Sequence, residues 1–235
     1  KGQIRVFSVP DLLPVDNGGI KVFEDDSLNN QVMGVSLYKR AADNKLFAIV
    51  SRKEGTANVD NYLYQYELMS DSLGVTGKLV RKFGQFSGTK EIEAIAVDAE
   101  LGYVYYSDEH FGVRKYYADP AKGNEELAQF GLTGFADDRE GISIYKTGAK
   151  TGYIIVSDQG AHQFQVFARE GSSENPHQHE LITTIPVTAM SSDGSETTSV
   201  ALGPDFPKGL FVAMSDNKTF EIYDWRDLEK RILSK

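Results

Sequence analysis

Along this 235-residue chain the apolar positions fall into short runs, many alternating with polar ones and broken by turn residues. The runs are rich in Val, Ile, Phe and Tyr, which suit a pleated, half-buried surface. They predict strands at Ile4–Val9, Ile20–Phe23, Val35–Tyr38, Leu46–Ser51, Leu63–Leu68, Lys78–Phe83, Tyr103–Ser107 and Val113–Tyr117. Further strands are predicted at Leu127–Phe130, Ile142–Tyr145, Tyr153–Ser157, Phe164–Ala168, Leu181–Ile185, Leu210–Met214 and Phe220–Tyr223. Only Trp225–Lys235 reads as helix, with Asp224 as its N-cap and Leu228, Ile232 and Leu233 on one face. The expected class is all-β.

The strands also repeat. A first strand, a turn and a longer apolar strand recur at Met33-Gly-Val-Ser-Leu-Tyr with Lys45-Leu-Phe-Ala-Ile-Val-Ser, and at Glu93-Ala-Ile-Ala-Val-Asp with Gly102-Tyr-Val-Tyr-Tyr-Ser-Asp. They recur again at Glu140-Gly-Ile-Ser-Ile-Tyr with Gly152-Tyr-Ile-Ile-Val-Ser-Asp, and at Ser199-Val-Ala-Leu-Gly with Gly209-Leu-Phe-Val-Ala-Met-Ser-Asp. Each of the first three pairs is followed by two more strands. Glu93 and Glu140 lie 47 residues apart, and the neighbouring spacings are 60 and 58. Four strands in a unit of this length predict a β-propeller of four-stranded antiparallel blades, rather than a sandwich. About four blades are represented, so a single propeller domain over 1–235 is expected, incomplete on its N-terminal side, with 225–235 as a short C-terminal helix.

Composition narrows the chemistry. The chain has 25 Lys and Arg against 34 Asp and Glu, a formal charge of −9, which disfavours a nucleic-acid partner. No apolar run reaches the ~18 residues of a membrane-spanning helix. Without cysteine there are no disulfides, thiolate metal sites or thiol nucleophiles. No secretory signal opens the sequence, so a targeting segment is expected to have been removed or to lie outside it.

In a propeller the ends of the inner strands meet on one rim. Glu93 and Glu140 precede inner strands at matching places, and Asp108-Glu109 matches Asp158-Gln159 after the second strands. Asp138 precedes Glu140 by two, and Asp193 with Glu196 precedes the last inner strand. Carboxylates gathered this way repel unless a cation neutralises them, and an all-oxygen set suits a hard ion such as calcium. The alternative is a set of solvated turn acids. Arg52-Lys53 ends the first repeat's second strand in the same register, where a lysine could meet an anionic substrate. His110 adjoins the acidic pair, while His177 and His179 sit in a polar loop and Asn217-Lys218-Thr219 fits a glycosylation sequon. Phosphate-loop, nucleophile-elbow and zinc-helix motifs are missing.

The ordered series Met33-Gly-Val-Ser-Leu-Tyr, Arg52-Lys-Glu-Gly, Tyr64-Gln-Tyr-Glu-Leu, Ile92-Glu-Ala-Ile-Ala-Val-Asp and Tyr106-Ser-Asp-Glu resembles the β-propeller phytases. The resemblance continues through Asp138-Arg-Glu-Gly-Ile-Ser-Ile-Tyr, Val156-Ser-Asp-Gln-Gly and Leu202-Gly-Pro-Asp-Phe-Pro-Lys-Gly-Leu-Phe-Val-Ala. It implies a six-bladed family fold of which this chain covers part, and calcium-dependent release of phosphate from myo-inositol hexakisphosphate by metal-activated water. It implies that Glu93, Glu109 and Glu140 hold the active-site calcium ions and carry catalysis. Asp138, Gln159 and Asp193 fall on neighbouring metal positions, and Lys53, with Arg52 beside it, on the substrate's phosphate. It also implies a secreted, periplasmic or cell-surface monomer whose partner is a small phosphorylated molecule. Met33 stands where the family usually has a tyrosine, and the 215–218 turn is shorter than the family's loop. A propeller that has kept the fold without turnover, as an anion-, metal- or protein-binding module, is the alternative.

Overall fold

In the computed structural model, which describes residues 2–26, 29–53, 55 and 60–234, nearly all regular structure is antiparallel sheet. β1 (Gln3–Ile4) pairs with β2 (Ile20–Lys21). A four-stranded meander follows, of β3 (Val32–Lys39), β4 (Leu46–Arg52), β5 (Leu63–Asp71) and β6 (Gly74–Phe83). The second comprises β7 (Ile95–Asp98), β8 (Tyr103–Asp108), β9 (Gly112–Tyr117) and β10 (Ala128–Phe130). The third comprises β11 (Ile142–Lys146), β12 (Gly152–Asp158), β13 (Gln163–Ala168) and β14 (Leu181–Pro186). A three-stranded sheet of β15 (Ser195–Thr198), β16 (Leu210–Ser215) and β17 (Thr219–Asp224) leads into helix α1 (Trp225–Leu233).

Each sheet is ordered as the chain runs, and the first strands β3, β7, β11 and β15 are neighbours in turn. They line an open cavity of about 330 Å³ with residues from all four sheets, Met33, Glu93, Glu140 and Asp193 among them. This is a four-bladed β-propeller. Its core lies between blades, where the middle strands of the four-stranded sheets are buried on both faces, as the run Phe47–Arg52 in β4 illustrates. One cluster joins the first and second blades through Phe47, Ile49, Phe83, Tyr106 and Tyr116. A second joins the next pair through Tyr105, Phe130, Ile154 and Phe167. A third joins the last pair and takes in Trp225, Leu228 and Ile232 of the helix. Asp224 accepts from Arg226 N at 2.9 Å to cap α1, and Trp225 stacks on Tyr145 with ring centroids 3.3 Å apart. On the outer side of the first blade, β1 and β2 pack Ile4 and Ile20 against Tyr64 and Tyr66.

Four sequence expectations need correction. The strand expected over Ile4–Val9 stops at Ile4: Val6 N donates to Asp16 Oδ2 at 2.6 Å instead of continuing the ladder, and beyond it Phe7 makes an isolated bridge to Pro14. The strand expected to Phe23 stops at Lys21, since Phe23 turns to φ 55° and donates its N–H to Tyr66 Oη. The fourth inner strand is Ser195–Thr198 rather than Ser199–Gly203. Pairing with Leu210–Ala213 selects the polar stretch, and it leaves Val200 and Leu202 exposed. Leu233 points outward at the end of α1 while Leu228 and Ile232 are buried; Lys235, in the expected helix, lies outside the described residues.

Candidate metal centre at the channel mouth

The second strand of each four-stranded blade carries, one residue before its end, a serine that pins the approach to an inner strand. Ser51 Oγ receives Gly34 N and donates to Ile92 O of the next blade at 2.5 Å. Ser107 Oγ donates to Arg139 O, again in the next blade. Ser157 Oγ receives the N–H groups of Glu140 and Gly141, both at 2.9 Å. The backbone segments carrying Glu93 and Glu140 are therefore fixed from β4, β8 and β12, which explains why the acids recur in register. Gly34 makes room for this: a Cβ there would stand 2.0 Å from Glu93 O.

The following aspartates divide from their neighbours. Asp108 is buried, taking Ser87 N at 2.9 Å and Arg114 Nε at 2.9 Å, and Asp158 takes Ala136 N at 2.9 Å and Gln163 Nε2 at 2.8 Å. Both clamp the loop preceding their own blade's inner strand. Glu109 and Gln159, one residue on, reach the mouth instead. Arg139 fixes Glu109 by donating to its carbonyl at 2.7 Å and to Gly131 O at 3.0 Å.

The result is a linked set of carboxylates. Oxygens of Glu91, Glu93 and Glu109 lie within 4.8 Å of one another, as do those of Glu109, Asp138 and Glu140. His110, Asp137 and Asp138 form a third group by the same measure. Gln159 Nε2 bridges Glu140 Oε2 at 2.8 Å and Asp193 Oδ1 at 2.7 Å, which attaches Asp193 to the set. Glu93, Glu109, Glu140, Asp138, Gln159 and Asp193 are thus neighbours. Lys53 pairs with Glu91 at 3.2 Å, and Lys90 with Asp138 at 3.0 Å. Arg52 goes elsewhere: it pairs with Asp26 at 2.8 Å and lies buried over the rings of Phe23, Tyr62 and Tyr64. Glu91 and Asp137 were not singled out from sequence, although the spacing Glu91-Ile92-Glu93, with Ile92 buried, puts both glutamates on one side.

Electrostatics mark the set as short of positive charge. Burial, then Asp138, Glu93 and Glu91, pushes the Glu109 carboxyl up to about 7. Burial, then Asp193, raises Glu140, and burial, then Glu91 and Asp193, raises Glu93. Asp138 is buried, with His110 Nε2 2.6 Å from Oδ1 and Lys90 Nζ 3.0 Å from Oδ2. Half-buried carboxylates that raise one another fit a divalent cation, and a donor set of oxygens suits a hard one.

His177 and His179 belong to another environment. His179 is buried, with Nδ1 on Ala168 O and Nε2 3.1 Å from Lys115 Nζ, and His177 packs edge-on against Tyr103. Asn217 Oδ1 takes Thr219 N in the exposed β16–β17 turn.

An acidic-mouthed β-propeller is the class these features define. The chain matches the Phytase family over residues 22–225 and belongs to it. It is 28% identical over 250 residues to a 3-phytase of Bacillus subtilis (strain 168), aligning 99% of this chain with 62% of that protein. In fold it is similar to Kuenenia stuttgartiensis hydrazine synthase, with a TM-score of 0.58 and 12% identity, covering 95% of this chain and 65% of that one.

Proposed function

We propose that the chain forms the metal-binding face of a calcium-dependent phosphoric monoester hydrolase acting on phytate outside the cytoplasm. The observation that carries this reading is Glu109, whose carboxylate belongs to two acidic groups at once and joins residues of two blades. Family membership and the curated 3-phytase relative support the phytate side.

In this reading Glu93, Glu109, Asp138 and Glu140 hold the cations, with Asp193 and Gln159 beside them. When bound, the metal supplies Lewis acidity to the phosphoryl oxygens and lowers the pKa of an attacking water. The protein's own groups orient and screen. Gln159 holds Glu140 and Asp193 together, Arg139 fixes Glu109, and Lys53, with its side chain 39% exposed, offers a point charge to an incoming phosphate. Arg52, held over three rings, supports the first blade rather than the substrate.

The test is phosphate release from phytate with calcium and with chelator, by the wild type and by Glu140→Gln. Calcium-dependent release that the variant lacks, with its circular dichroism unchanged, is the expected result. Equal release by both would overturn the assignment of Glu140.

A further inference from the structure

Asp138 is the hub of the cluster, shared by the group with Glu109 and Glu140 and by the group with His110 and Asp137. In this structure its Oδ2 is taken by the ammonium of Lys90, at 3.0 Å. The two side chains differ in exposure, Lys90 at 48% and Asp138 at 7%, so a half-exposed lysine reaches a buried carboxylate whose other oxygen lies 2.6 Å from His110 Nε2.

The approach is built into the backbone. Lys90 has φ 61°, a left-handed conformation that costs a side-chain-bearing residue energy. The loop around it is tied down: Ser87 N and Oγ bind Asp108, Glu91 O receives Glu109 N, and Ile92 O receives Ser51 Oγ. A lysine in a free loop would follow solvent. This one is delivered to the hub.

We propose that Lys90 is the resident counter-ion of Asp138, displaced when a divalent cation binds the cluster and thereby freed to contact the phosphate of the substrate. The inference rests on reading the cluster as a metal centre. An ammonium and a divalent ion on one carboxylate repel each other strongly at such separations, so the two occupants compete. The lysine's four-carbon stem is flexible and its outer part is already in water, so it can swing outward without unfolding the loop. Cation uptake then does two things at once: it neutralises the acids and leaves a positive charge unpaired at the rim. Anion binding becomes coupled to metal binding through one side chain.

The test is calorimetric titration of calcium into wild type, Lys90→Met and Lys90→Arg, followed by titration of inorganic phosphate into each calcium-loaded protein. Lys90→Met should bind calcium more tightly and phosphate more weakly, each by about fivefold or more, the usual floor for coupled sites. Lys90→Arg keeps the charge and should stay near wild type in both titrations, which also guards against a folding defect. Calcium affinity unchanged or weakened in Lys90→Met, with the wild type binding calcium, would overturn the role of Lys90 alone. A wild type that takes up no calcium would overturn the metal-centre reading and this inference with it.

Discussion

Gly34 and Glu93 belong to adjacent blades, and the backbone of one leaves no room for a side chain on the other: a Cβ on Gly34 would lie 2.0 Å from Glu93 O. The contact sets how closely β3 approaches the segment leading to β7. Gly34→Ala must therefore push the two inner strands apart, at about 1–3 kcal/mol for an overpacked site. Thermal melting should show the loss, and calcium should stabilise the variant less than the wild type. An unchanged melting temperature would mean the blades can shift without consequence.

The serine pins make a related prediction. Ser51→Ala and Ser107→Ala each remove a donor to a carbonyl of the next blade, Ile92 O and Arg139 O. Each should cost about 1–3 kcal/mol in chemical denaturation, because a buried acceptor is left unpaired. Phosphate release should fall as well, since both carbonyls adjoin acids of the mouth. Loss of stability with full turnover would separate the pins from the site.

Lys53 makes a different kind of prediction. Its pair with Glu91 is partly exposed and its proposed role is to meet the substrate. Lys53→Ala should raise KM for phytate by about fivefold, the worth of a solvent-screened charge contact, with kcat nearly unchanged. A fall in kcat at constant KM would place the residue in the chemical step instead.

A pH dependence arises well away from the mouth. Lys115 on β9 is fully buried, donating to Pro176 O at 2.6 Å and lying over the Tyr103 ring. Burial lowers its amine to about 7 from 10.5, and burial, then Lys115, lowers His179 to about 4 from 6.5. Between each pair of values the unfolded chain holds more protons than the folded one, so stability rises with pH. The Lys115 contribution is complete above 10.5 and is lost progressively as pH falls to 7; that of His179 is lost between 6.5 and 4. Lys115→Met should flatten the rise in melting temperature between pH 7 and 10. An undiminished slope would assign it to other groups.

The sequence made the propeller readable because each blade repeats one strand pattern and closes its second strand alike, with Ile-Val-Ser, Tyr-Tyr-Ser-Asp, Ile-Val-Ser-Asp and Ala-Met-Ser-Asp in turn. The same register pointed to Glu93, Glu109 and Glu140, and the structure brings them together. It could not divide Asp108 from Glu109, since which acid turns inward depends on a partner such as Arg114, six residues on. Nor could it foresee that Arg52 would be drawn under Phe23 and Tyr64. Glu91 stands two before Glu93 as Asp138 stands two before Glu140, so the repeat carried its signal; Asp137 answers to Lys90 in the preceding blade, and repetition gave it none. The fourth inner strand was misplaced because it is polar, and apolarity was the guide.

The central claim is that acids from separate blades act as one cation site, and Glu109, common to two groups, is where it is most exposed to test. The direct measurement is the melting temperature of wild type and Glu109→Gln as calcium is added. A ligand that prefers the folded state must raise it, by an amount corresponding to about 2.7 kcal/mol at a hundredfold excess over Kd. The account predicts a calcium-dependent rise in the wild type that Glu109→Gln loses. A rise of equal size in both proteins, or none in the wild type, would contradict it.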